Sequence, residues 1–205
     1  MEAYKPLPRA FFKPAADLVA PELLGHLLVR RTSDGFCGGP IAEVEAYLFE
    51  DPASHSFVGE TARNRSMYGP PGHAYVYFIY GNHYCVNAVT GPKGVGEAVL
   101  IRAIEAEIGS DIMRRNRQVT KEVELTNGPA KLCEALQIDR SLDAADLCAA
   151  GSPLIIARNP VRKKWLQERG PIVRTTRIGI TKGSQSLLRF YGAKSAFVSR
   201  RAREV

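Results

Sequence analysis

Apolar and polar positions alternate along much of the chain, and the pattern predicts short strands broken by turns, with a few helices between them. A short helix is predicted over Ala15–Leu24, closed by Gly25. His26–Thr32 reads as a strand, Ser33-Asp34-Gly35 as a hairpin turn, and Pro40–Tyr47 as the partner strand. Residues 48–73 form a long polar loop interrupted by Pro52, Gly59, Gly69, Pro70, Pro71 and Gly72. Loops of this length inside compact domains are usually functional or disordered. The strongest strand signal follows in Ala74–Tyr80, rich in Tyr, Val, Phe and Ile. Tyr80-Gly81-Asn82 can turn the chain, so His83–Val89 is expected beside it, antiparallel. Thr90–Gly96 reads as a further turn and Glu97–Ala103 as a further strand. Ile104–Arg117 is expected to be helical, as is Gly128 to about Gln137, with Asn127 as cap and Pro129 in the first turn. Leu154–Ala157, Arg177–Ile180 and Leu188–Tyr191 look like short late strands. Adjacent strands followed by helices predict an α+β fold: one mixed domain over residues 1–205, with a curved, mostly antiparallel sheet flanked by helices. No Gly-x-Gly-x-x-Gly joins a strand to a helix, which argues against a dinucleotide-binding unit.

Composition adds boundaries to this picture. Hydrophobic residues make up 45% and charged residues 24% of 205, so a substantial core is expected without disulfides or structural metals. The first 13 residues show no apolar leader segment, and no run is long enough to cross a bilayer. Cys37, Cys85, Cys133 and Cys148 are widely spaced with no Cys-x-x-Cys pair, so they read as reduced thiols in an intracellular, cytoplasmic protein. Charge is distributed unevenly. Residues 158–205 carry 13 Lys or Arg against Glu168 and Glu204, 13 − 2 = +11, while the other 157 residues carry 15 basic and 19 acidic, 15 − 19 = −4. A basic quarter of this kind suits a polyanion such as DNA and equally suits a solvated surface.

One segment carries candidate chemistry. In a strand, Glu43, Glu45 and Tyr47 share one face, and Ala42, Val44 and Ala46 the other. If the first face lines a cleft, Glu45 is a candidate base with an aromatic platform two residues away; if it faces water, the segment is a half-exposed strand. Tyr75, Tyr77, Tyr80 and Tyr84 fall on the two strands of the next hairpin. Such a cluster can hold a nucleobase by stacking, or form an ordinary tyrosine-rich sheet face. Asn87 and Arg102 sit inside apolar strands, and a buried arginine needs an anionic partner, for which Glu45 is available.

These residues belong to a longer series of motifs. Glu43-Val-Glu-Ala-Tyr47, Ala53-Ser-His-Ser56, Arg63-Asn-Arg-Ser-Met67, Tyr75-Val-Tyr-Phe-Ile-Tyr-Gly81, Cys85-Val-Asn87 and Leu100-Ile-Arg-Ala103 follow in order, with Gly128-Pro-Ala-Lys-Leu-Cys133 and Arg177-Ile-Gly179 after them. Together, over Leu23 to Ser199, they resemble the alkyladenine (3-methyladenine) DNA glycosylase family. The resemblance implies a single mixed domain that flips damaged purines from duplex DNA and hydrolyses the N-glycosidic bond. Glu45 matches the general base that activates water. Arg102 and the backbone carbonyl of Ile178 match groups that hold that water. Tyr47, His55 and Tyr77 match residues enclosing the flipped base, with His55 acting largely through its backbone N–H. Asn87 matches the residue that disfavours guanine, and Tyr80 the wedge that enters the duplex.

The same resemblance implies a monomer without cofactor or metal, partnered by double-stranded DNA containing damaged purines, and without lyase activity. Lys131, Arg63, Arg65 and Arg115 are candidate contacts to the DNA backbone. Asn82, beside the wedge, departs from some relatives that carry a larger apolar residue there. Rival readings are a metal-dependent hydrolase built on His55, His73 and His83, a damage-binding protein without catalysis, and a hydrolase of free nucleosides. The histidine spacings match no standard zinc motif.

Overall fold

The computed structural model describes residues 4–202. Its elements in chain order are α1 (Ala16–Leu23), β1 (Leu27–Thr32), β2 (Gly35–Tyr47), β3 (Ala74–Ile79), β4 (His83–Thr90), β5 (Glu97–Ile104), α2 (Ser110–Arg117), α3 (Pro129–Ala135), β6 (Leu154–Ala157), α4 (Arg162–Arg169), β7 (Ile172–Thr175) and β8 (Arg189–Gly192), with short 3-10 turns between. The eight strands form one open sheet of order β3-β4-β5-β2-β1-β6, with β8 also pairing β2 and β7 pairing β8. Every strand pairing is antiparallel. The architecture is the expected single α+β domain.

Period-two alternation sorts the central strands into two faces. Val44, Val76, Val86, Val99 and Ile101 join the main core with Leu23 of α1 and Leu132 of α3. Tyr75, Val89 and Ala98 point the other way and form a smaller cluster with Met67 and Tyr68, against which Tyr47 and Tyr77 pack. This second face carries the candidate site. Its other side is braced by α1, whose first N–H, at Ala16, donates to Glu97 Oε2 at 3.0 Å.

β2 is the longest strand, and its sequence explains its path. A Cβ on Gly39 would lie 1.7 Å from the Glu105 carbonyl oxygen, so only glycine lets these backbones approach. The β2–β5 register shifts between Ile41 and Glu43 and again between Glu43 and Val44, a bulge at Glu43, two residues before Glu45. Bulges re-aim side chains.

Several predicted boundaries move. The helix expected over Ile104–Arg117 begins only at Ser110, after Gly109 at φ 60°. Residues 105–107 run instead beside β2, where buried Glu105 accepts from Trp165 Nε1 at 3.1 Å, Arg169 Nε at 2.9 Å and Ser195 Oγ at 2.6 Å. The helix expected from Gly128 to Gln137 ends at Ala135, and Asn127 does not cap it, because its side chain accepts from Lys131 Nζ at 2.8 Å. Arg177–Ile180 is not a strand: the Arg177 side chain is drawn inward, and Gly179 has φ 75°. The loop at 48–73 is structured by two 3-10 turns, His55–Val58 and Arg65–Tyr68. All four cysteines are unpaired. Arg203 and Glu204, counted in the basic quarter, lie outside the described residues.

Candidate active site

The second face of the sheet ends in a cavity of about 220 Å³. β2 contributes Tyr47, β3 contributes Tyr75 and Tyr77, β4 contributes Cys85 and Asn87, and β5 contributes Leu100 and Arg102. The 48–73 loop adds His55 and Met67, and segment 178–180 closes one side. The sheet register explains the convergence. Tyr75 pairs with Asn87, Asn87 with Leu100, and Leu100 with Glu45, so residues far apart in sequence lie in one row.

Glu45 lies immediately behind the cavity wall. It is fully buried and does not line the cavity itself. Its three polar contacts all come from residues that do: Tyr47 Oη donates to Oε2 at 3.0 Å, Arg102 Nη1 lies 3.2 Å from Oε2, and the Ile178 backbone N–H donates to Oε1 at 2.8 Å. The Ile178 N–H thus holds the carboxylate directly, a contact beside the one its carbonyl is expected to make to a water.

Arg102 bridges two acids. Its Nε donates to Glu43 Oε1 at 3.2 Å while Nη1 faces Glu45. Glu43 is completed by Arg189 Nη1 at 2.8 Å and the Ser199 N–H at 2.7 Å. Burial works against the arginine charge, but Glu45 and Glu43 more than offset it and hold the Arg102 pKa above its ordinary value.

The aromatic groups form a corner. The Tyr75 and Tyr77 rings are 5.3 Å apart and tilted, and His55 stands edge-on to Tyr77 at 4.6 Å. His55 Nδ1 and the Tyr75 hydroxyl share a hydrogen bond of 2.8 Å. Asn64 Nδ2 fixes the His55 carbonyl at 2.8 Å, and among the described residues nothing accepts from the His55 backbone N–H. Burial, with Arg63 nearby, lowers the His55 pKa and favours a neutral ring. Burial, aided by the Glu45 charge, raises Tyr47 above the tyrosine range, and burial raises Tyr75 and Tyr77 as well. All three therefore keep their protons at neutral pH and remain donors. Asn87 is buried and donates to the Tyr75 carbonyl at 3.0 Å.

Tyr80 sits at the cavity mouth, 80% exposed, with φ 54°. Left-handed backbone is costly for a tyrosine and collects at functional sites. That turn brings a side chain of the opposite strand parity to the mouth.

Of the four proposed backbone contacts, Lys131 lies two residues after Pro129 of the cavity wall, and Arg63 reaches the Phe78 carbonyl at 3.2 Å on the hairpin that carries Tyr80. Arg65 is exposed and faces Glu60 at 3.6 Å. Arg115 is not brought near. It pairs with Asp34 at 2.9 Å, at the far end of β2 from Tyr47. Sequence reasoning gave no role to Arg177 or Asp51. The Arg177 guanidinium lies over the Tyr47 ring, 4.7 Å from its centroid, and pairs with Asp51. The Arg177-Ile-Gly179 motif was the available signal. Among the described residues, no group of three or more His, Cys, Asp or Glu is arranged to hold a metal ion, and no helix is long and apolar enough to cross a membrane.

The methylpurine-DNA glycosylase family profile matches residues 10–196 of this chain. The chain belongs to that family. A candidate 3-methyladenine DNA glycosylase of Methanoculleus marisnigri is 50% identical over 195 residues, covering 95% of this chain and 99% of that one. Similarly named proteins of Carboxydothermus hydrogenoformans and Mesorhizobium japonicum are 46% and 45% identical, covering 95% and 97% of this chain and 99% and 92% of theirs. Family membership makes the chain a DNA glycosylase of base excision repair, a hydrolase of N-glycosyl bonds. The matched span includes every cavity residue named above.

Proposed function

We propose that this methylpurine-DNA glycosylase family member flips alkylated or deaminated purines, of the 3-methyladenine, hypoxanthine and ethenoadenine type, into the cavity and hydrolyses their glycosidic bond with a water activated by Glu45. The observation that carries the reading is the placement of the Glu45 carboxylate: one contact behind a wall of Tyr47, Arg102 and Ile178, at the end of an aromatic corner. An ionised carboxylate offers about four lone-pair sites. Three are engaged here, and the one left on Oε1 can take a water hydrogen. Since Glu45 has no exposed surface, that water must pass between its three partners.

The chemistry then follows from the reacting atoms. The base leaves with the C–N bonding pair, a neutral lesion taking up a proton as it goes, and leaves positive charge on the sugar; a water oxygen bonds to the anomeric carbon from the opposite side and gives its proton to the Glu45 carboxylate, as in inverting glycoside hydrolysis. Tyr47, Tyr77 and His55 hold the flipped base by stacking and edge contact, and the His55 N–H is free to donate to a carbonyl such as that of hypoxanthine. Asn87 guards against guanine. Tyr80 fills the gap left in the duplex. Lys131, Arg63 and Arg65 hold phosphates, and the enzyme works as a monomer on DNA in the cytoplasm. Among the described residues no lysine lines the cavity, which supports hydrolysis without a Schiff base or strand cleavage.

The test is incubation with duplexes bearing one hypoxanthine or ethenoadenine. Alkali-labile abasic sites are expected at the lesion, with no nick before alkali. Lesion DNA that is bound but never converted would refute catalysis, and nicking without alkali would refute the absence of lyase chemistry.

A further inference from the structure

Arg177 occupies an unusual position for a residue that never touches the cavity. Its side chain is fully buried and its guanidinium covers one face of the Tyr47 ring, 4.7 Å from the centroid. Tyr47 lines the cavity and Arg177 does not, so the charge stands behind the ring. Nη1 donates to the Ala46 carbonyl at 3.0 Å, and Nη2 donates to Asp51 Oδ1 at 2.9 Å. Its Nε is buried without a hydrogen-bond acceptor, which makes the Tyr47 π face part of how this charge is accommodated. The next residue, Ile178, holds Glu45.

We infer that Arg177 is a specificity-determining positioning residue, biasing the Tyr47 stacking surface towards neutral lesion bases and against cationic ones. The physical reason is the ring quadrupole. A cation on one face draws π density towards itself, and the opposite face becomes a weaker partner for a second cation. A 3-methylated purine carries such a charge; hypoxanthine and ethenoadenine do not. Asp51 tempers the effect by pairing with the guanidinium. The inference rests on the excision reading above, with Tyr47 as a stacking surface.

The two charges behind Tyr47 can be removed separately or together. Asp51→Asn keeps the shape of the pair and leaves the guanidinium charge without its counter-ion. Arg177→Gln combined with Asp51→Asn removes both charges while retaining amide hydrogen bonds. Single-turnover release of 3-methyladenine from methylated duplex DNA is compared with excision of hypoxanthine and ethenoadenine from defined duplexes. The cationic-to-neutral rate ratio is expected to fall in Asp51→Asn and to rise in the double variant, by about fivefold either way if one desolvated cation–π contact is at stake. Opposite shifts are something a purely structural pair would not produce. Equal losses on all lesions in the variants would overturn the inference while leaving the excision reading intact. If one of the two variants does not fold, the other decides alone: a fall in the Asp51→Asn ratio or a rise in the double-variant ratio supports the inference, and an unchanged or opposite shift overturns it. Absence of excision by the parent enzyme on every lesion would overturn the excision reading itself and this inference with it.

Discussion

Two buried carboxylates share the Arg102 guanidinium, and their removal should have different consequences. Glu43→Gln is nearly isosteric, yet it takes a negative charge from between Arg102 Nε at 3.2 Å and Arg189 Nη1 at 2.8 Å. Both arginines are almost wholly buried. Arg102 keeps Glu45, but Arg189 is left with the carbonyls of Thr176 and Arg200. Stranding a buried charge costs about 3–5 kcal/mol. Roughly 2–4 °C per kcal/mol applies to chains of this length, so a fall in Tm of about 6–20 °C is expected. Glu45→Gln should cost less, since Arg102 retains Glu43 and no second arginine loses its partner. The assay is thermal or urea unfolding of the two variants side by side at neutral pH, with excision measured below the lower Tm. A Glu43→Gln protein as stable as the parent, or less affected than Glu45→Gln, would refute the reasoning that Glu43 anchors and Glu45 is free for chemistry.

Other consequences are more local. Tyr80→Ala removes an exposed side chain and should change stability by no more than about 0.5 kcal/mol, while lesion binding and excision both weaken; unchanged excision would remove Tyr80 from its wedge role. Burial, with Arg162 and Arg158 nearby, lowers the His26 pKa from 6.5 to about 4, so the folded state binds its proton less readily than the unfolded chain. Its contribution to stability is full above pH 6.5 and is lost as pH falls towards 4; urea unfolding between those pH values should show the decline, and His26→Gln should flatten it. Lys131→Ala should weaken binding to lesion and undamaged duplexes alike and reduce the slope of log K against log salt by about 1; an unchanged slope would mean that Lys131 meets no phosphate.

The strands were legible because their alternation reflects two different surroundings. Ala74–Ile79 places Ala74 and Val76 on the helical core and Tyr75 and Tyr77 on the cavity, and Glu97–Ile104 places Val99 and Ile101 on the core with Arg102 on the cavity, a contrast written into the sequence. Elements specified by distant partners were not legible. α4 has a single buried side chain, Trp165, and shows no apolar stripe, yet it docks through Trp165 and Arg169 on Glu105. The Ile104–Arg117 segment carries helix-favouring residues, but Glu105 is fixed in extended chain by three donors from the C-terminal quarter. For the site, Glu45, Tyr47, Tyr77 and Arg102 could be named from types and spacing. Their meeting depends on the β2–β5 and β4–β5 registers and on the bulge at Glu43, which no local pattern encodes. Arg177 escaped notice because its significance lies wholly in what its guanidinium covers.

Single-turnover excision of hypoxanthine by the Glu45→Gln variant tests the role of the carboxylate at position 45 most directly. We expect lesion binding within a few-fold of the parent and a chemical rate reduced by at least about 10²–10⁴, the usual contribution of a positioned general base. Excision at the parental rate, with the variant folded, would contradict the claim that this buried carboxylate activates the attacking water.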